Sequence, residues 1–164
     1  MAVASPKCFF AAWIAGWVVA IFLPSVLVAY FGLSEPAATL GTGLHRLPAT
    51  SFKVADDVGP VVKLMLGGML LACFLGVERA RLTRSAARYS THVAAGILAT
   101  IVTIIFVPDD YSRGFAARLT GARFDGATLP LYLLGGAFAG AAFALSLDRC
   151  RRNNARRADV SAVS

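Results

Sequence analysis

The sequence predicts an all-α, polytopic membrane protein with four transmembrane helices, and three observations carry that reading. Apolar residues are gathered into four blocks, each about as long as the 20 residues a helix needs to cross a bilayer. The blocks are apolar on every face, with Lys63 the only charge inside any of them, whereas a helix of a soluble bundle shows an apolar stripe and a charged face. The chain is 57% hydrophobic and 15% charged, well short of the roughly 25% charge of a soluble domain.

The first span is read over 8–31, inside the uncharged run 8–34. Trp13 and Trp17 lie toward one end and Tyr30 and Phe31 at the other, the pattern of interfacial aromatic anchors. Pro24 removes a backbone donor inside this helix, which predicts a kink. The run exceeds the roughly 7–15 apolar residues of a signal peptide, and Val28-Ala29-Tyr30-Phe31 is a poor cleavage context, so a retained helix is expected. The second span, 58–77, lies between Asp57 and Glu78. Pro60 falls in its first turn, where proline is tolerated, and Lys63, one turn inside, can snorkel to the interface. The third, 89–108, is bounded by Arg88 and Asp109 and is rich in Ile, Val and Thr. That composition suits a strand in water, but in lipid a lone segment satisfies its backbone only as a helix. The fourth, 126–147, lies between Asp125 and Asp148, with Pro130 in its first turn. Residues 1–148 thus form one transmembrane domain, and the polar tail 149–164, charged and free of aromatics, is expected to be disordered.

Thirteen of the sixteen basic residues are Arg, and the formal net charge is +7. On a soluble protein this would suggest nucleic acid. Beside apolar blocks it points instead to topology and to anionic lipid headgroups, and nucleic acid is not an expected partner. Lys7, the cluster Arg79, Arg81, Arg84 and Arg88, and five arginines of the tail place ten basic residues on one side, against six on the other. Basic residues are retained in the cytoplasm, so both termini are expected there. The Ala, Gly and Arg richness, with little Lys, suits the mutational bias of a GC-rich bacterial genome, and a bacterial inner membrane is the expected location. Cys8, Cys73 and Cys150 are too scattered for a disulfide framework, and on cytoplasmic segments Cys8 and Cys150 are expected to stay reduced.

In the first loop, Ser34-Glu35-Pro36 reads as the start of a short helix ended by Gly41-Thr42-Gly43. In the third, Phe115, Leu119 and Ala122 share one helical face, but a solvated loop is the simpler reading. The second and fourth blocks resemble each other: Leu66-Gly67-Gly68-Met69-Leu70 precedes Glu78-Arg79, and Leu134-Gly135-Gly136-Ala137-Phe138 precedes Asp148-Arg149. A duplication of two helical hairpins would explain this, as would the small alphabet of membrane helices. Gly136 and Gly140 form a GxxxG, and Gly68, Ala72 and Gly76 fall four apart, ridges that let helices approach closely. These mark the second and fourth helices as the close-packing pair.

Charges within membranes usually mark function, and the spans carry almost none. Glu78 reads as a boundary charge, and the chain offers no buried carboxylate of the kind a proton-coupled exporter needs. Thr100 and Thr103 can bond across helices or to their own backbone. His45 and His92 fall on opposite sides, which excludes a shared metal site. Asp109, Asp110 and Asp125 lie among arginines and read as interfacial charge. No catalytic, cofactor-binding or metal-binding residue is assigned, no cofactor is expected, and the chain is read as non-enzymatic. The expected function is that of an accessory, assembly or regulatory subunit acting through helix–helix contacts with a membrane-protein partner or with its own copies. The competing reading is a small oligomeric transporter or channel, whose pore can be lined by backbone and hydroxyls.

Overall fold

A computed structural model of the chain describes residues 6–31, 33, 46–80, 85–107 and 128–161. They form five helices: α1 (Pro6–Phe31), α2 (Leu47–Asp57), α3 (Pro60–Arg79), α4 (Ser85–Phe106) and α5 (Leu129–Ser161). No strand occurs among the described residues. Helices α1, α3, α4 and α5 are each long and apolar enough to cross a membrane, as the sequence predicts. The proposed helix after Ser34, the residues of the third loop and His45 lie outside the described residues.

Helix α5 is the hub, with its largest interfaces against α1 and α4, while α3 packs chiefly on α4. Phe74, Phe143, Leu70 and Leu147 fill the centre with no more than 1% exposure. Close approach of α5 depends on glycine. A Cβ on Gly136 would fall 2.7 Å from the Gly96 carbonyl oxygen, and one on Gly140 would fall 2.6 Å from the His92 carbonyl carbon. Only a residue without a side chain admits backbones so near each other. On the other side of α5, Gly135 faces the ring of Pro24, where a Cβ would come within 2.6 Å of Cγ. Pro24 lies within a continuous α1; its missing N–H frees the Ala20 carbonyl, and α5 packs into that notch.

The close-packing pair is therefore corrected. Gly136 and Gly140 serve the α4–α5 contact, not one between α3 and α5. Gly68 and Gly76 have nothing within 4 Å of a would-be Cβ, and Ala72 beside them is exposed. The two Gly-Gly pairs begin alike, since Gly67 and Gly135 both face α1, then diverge as Gly68 turns outward and Gly136 inward.

The tryptophans also have a role within the bundle. Trp13 and Trp17 stack 5.4 Å apart and donate to α3, from Nε1 to the carbonyl oxygens of Gly67 (3.0 Å) and Lys63 (2.9 Å). In hydrocarbon an indole N–H gains from any acceptor it can reach, and here they fasten α1 to α3. A Cβ on Gly67 would fall 2.9 Å from the Trp17 ring.

Two features were not foreseen. Residues 47–57, read as plain loop, form α2, with Pro48 in its first turn and Val54 fully buried against Val28, Ala29, Ile104 and Tyr132. Its Thr50 and Ser51 hydroxyls bond to their own helix. Gly59, at φ 78°, then turns the chain into α3; this left-handed conformation is one that glycine adopts without strain. The tail, expected to be disordered, instead continues α5 as helix through Ser161. No break separates it from the span, so it continues the hydrogen-bond ladder already nucleated there.

Candidate functional site

One end of the bundle gathers the N-termini of α1 and α4, the C-terminus of α3, and the point where α5 runs on past its apolar stretch. The polar side chains of three helices meet there. Arg88 of α4 pairs with Asp148 of α5, whose second oxygen accepts from the Tyr89 hydroxyl at 2.6 Å. Arg151, on the next turn of α5, donates to Glu78 Oε2 of α3 at 2.5 Å. The other Glu78 oxygen, Oε1, lies 3.5 Å from Nε2 of His92. Opposite charges thus join α3, α4 and α5 where the side chains are a quarter exposed or less, save Arg151 at 27%.

His92 is the deepest of these groups, with 1% of its side chain exposed. Its ring stacks on Phe143 at 5.0 Å and tilts against Phe74 at 5.9 Å. Phe143 in turn meets Phe74 and, edge-on, Phe9 of α1. The position follows from local helix geometry: Arg88 and His92 are four apart and share a face of α4, and Gly140 lets α5 lie directly on the His92 backbone.

Cys8 and Cys150 form a disulfide at the same end, with Cα atoms 5.7 Å apart. The expectation of two reduced, separate cysteines is corrected; 142 residues apart in sequence, they meet because α1 and α5 run antiparallel in full contact. The Asn154 amide donates to Cys8 Sγ at 3.3 Å. Asp148, Cys150, Arg151 and Asn154 occupy fewer than two turns of α5. Cys73 is a free thiol, half-buried on α3.

Sequence reasoning placed Glu78 at a boundary, where α3 ends, and His92 at the start of a helix, whereas His92 lies two turns inside α4. That reasoning missed their burial and their meeting. One signal was available: charges of opposite sign end the second span (Glu78), begin the third (Arg88) and end the fourth (Asp148), all at one membrane level. Thr100 and Thr103 donate to the carbonyls of Gly96 (3.0 Å) and Ala99 (2.7 Å) within their own helix, not across helices. No trio of His, Cys, Asp or Glu among the described residues could hold a metal ion. The sequence matches no known protein-family model, no curated protein and no solved structure.

Proposed function

We propose that the protein is an accessory or assembly subunit that docks another membrane helix on the outward face of α3. One observation carries this reading. The span glycines Gly16, Gly67, Gly96, Gly135, Gly136 and Gly140 are occupied by internal contacts, whereas Gly68 and Gly76 face open space, with Ala72 exposed between them. Such a ridge lets a second helix approach to backbone distance, where dispersion can hold it without any hydrophobic drive. Most of the polar groups at the bundle end join the protein's own helices. A small transporter or channel is the second reading. A cavity of about 30 Å³ lies beside Thr100 and Thr103, and in this reading a path between copies could be lined by backbone and hydroxyls.

We place the chain in a bacterial inner membrane with both termini cytoplasmic, on the excess of basic residues at this end. Arg149, Arg152 and Arg156 are exposed there, suited to anionic headgroups. The Cys8–Cys150 bond counts against that orientation, since thiols facing the cytoplasm are kept reduced and the reversed topology would place both in an oxidising compartment. Membrane-impermeant maleimide, applied to reduced cells, tests the orientation: labelling of Cys150 from outside would overturn it.

The docking reading is tested by purification in mild detergent with mass measurement, for the parent and for Gly68→Leu with Gly76→Leu. A stoichiometric partner retained by the parent and lost from the double variant is expected. A homo-oligomer lost in the same way would favour the channel. A parent that runs as a bare monomer would sink both.

A further inference from the structure

We propose that the gap between Glu78 Oε1 and His92 Nε2 is a proton-binding site that opens to water past the Glu78 carboxylate. The two atoms face each other at 3.5 Å, both shielded from solvent and neither with a hydrogen-bond partner among the described residues. The imidazole has no freedom to choose its tautomer. Its Nδ1 lies 2.7 Å from the Arg88 carbonyl oxygen, which can only accept, so the hydrogen belongs on Nδ1. In the neutral ring, Nε2 is then a bare lone pair directed at a carboxylate oxygen.

The couple has two states, each with a cost the other lacks. When empty, two buried acceptors face one another with no donor between them, a desolvated and unfavourable arrangement. When loaded, the imidazolium donates to Oε1, but the cluster gains a positive charge. The groups facing the couple are Glu78 from α3, Arg88 and Tyr89 from α4, and Asp148 and Arg151 from α5. From α1 come Phe9, against Phe143, and the oxidised Cys8, neither of which titrates. Without the proton, the two carboxylates balance the two guanidiniums. With it, one extra charge sits between the rings of Phe74 and Phe143. Opposed costs of this kind make occupancy follow pH instead of remaining fixed.

Arg151 already donates to Oε2 of the Glu78 carboxylate, so the proton is assigned to the ring. Glu78 is 19% exposed and Arg151 27%, against 1% for His92, which makes the carboxylate edge the route from water. A charge-assisted N–H···O contact settles near about 2.8 Å, so loading shortens the contact between Oε1 and Nε2 by roughly 0.7 Å. The inference is independent of any partner on α3 and of which side of the membrane this end faces.

The test uses the full chain in phospholipid nanodiscs with ¹⁵N-labelled histidine. His45 and His92 are the only histidines, and a His45→Gln variant assigns the two rings. At alkaline pH the neutral His92 ring is expected as the Nδ1–H tautomer, the minor form in water, and to become doubly protonated on acidification. Glu78→Gln presents an amide that can donate to Nε2, so the acid conversion of His92 is expected to be lost. A His92 ring in one protonation state throughout, a neutral Nε2–H tautomer, or an unchanged conversion in Glu78→Gln would each overturn the proposal. Because Glu78→Gln also loosens Arg151, His92→Gln gives a second reading. With helicity confirmed by circular dichroism, it is expected to take up one proton fewer per chain than the parent on acidification. Equal uptake would refute the site.

Discussion

Adding one methyl group at Gly140 probes the contact on which the bundle depends. In Gly140→Ala the new Cβ would fall 2.6 Å from the His92 carbonyl carbon and 2.8 Å from Val93 Cα, where carbon pairs rest at about 3.5–4.0 Å. Both neighbours are backbone, so no side chain can rotate away, and α4 must part from α5 by about 1 Å. Overpacking of this kind costs about 1–3 kcal/mol, here toward the upper end because two rigid helices move as units. Alanine returns up to about 1 kcal/mol of helix propensity. The net expectation is a loss of about 2 kcal/mol, a factor of about 30 in the folding equilibrium. Titration with dodecyl sulfate in mixed micelles, followed by the fluorescence of Trp13 and Trp17, measures it. A variant as stable as the parent would refute the backbone contact assigned to α4 and α5.

The same titration separates several other expectations. Gly68→Ala and Gly76→Ala meet nothing within 4 Å, so each should be neutral or more stable by up to about 1 kcal/mol; a loss like that of Gly140→Ala would show the ridge to be covered within the monomer. Trp17→Phe removes the bond to the Lys63 carbonyl and should cost about 1 kcal/mol, with no change if the indole merely anchors at an interface. Asp148→Ala leaves Arg88 and the Tyr89 hydroxyl without their shared acceptor, for a loss of about 1–2 kcal/mol at this partly exposed site. For Cys8→Ser, the oxidised parent should lose about 2–4 kcal/mol and its faster migration on a non-reducing gel; identical migration with and without reductant would exclude the bond.

The spans were legible because each is written locally: an unbroken apolar run has one solution in lipid, whatever surrounds it. Residues 47–57 were not, because Thr50, Ser51 and Lys53 dilute the apolar pattern and α2 is held by Val54 meeting distant residues of α1, α4 and α5. The glycine ridges were visible as ridges, but a stripe does not carry its partner's name; that Gly136 faces Gly96 while Gly68 faces outward is decided by how α5 rotates in the bundle. His92 and Glu78 were visible as single residues at span ends. Their contact arises only when three helices converge, and the burial of His92 comes from Phe74 and Phe143, 18 and 51 residues away in the chain. The tail misled for a different reason. Its composition is that of a disordered segment, and composition takes no account of a helix already running into it.

That uninterrupted helix makes α5 a mechanical element. Its 33 residues extend about 50 Å, of which a bilayer core accounts for about 30 Å. The remainder projects as a stiff arm carrying Arg152 and Arg156. The fulcrum is the turn bearing Asp148, Cys150 and Arg151, gripped by α1, α3 and α4. A tilt of a few degrees there displaces the far end of a 20 Å arm by about 1–2 Å. A small tilt at that turn would thus be carried along the arm to Ser161, with no break in the helix to absorb it.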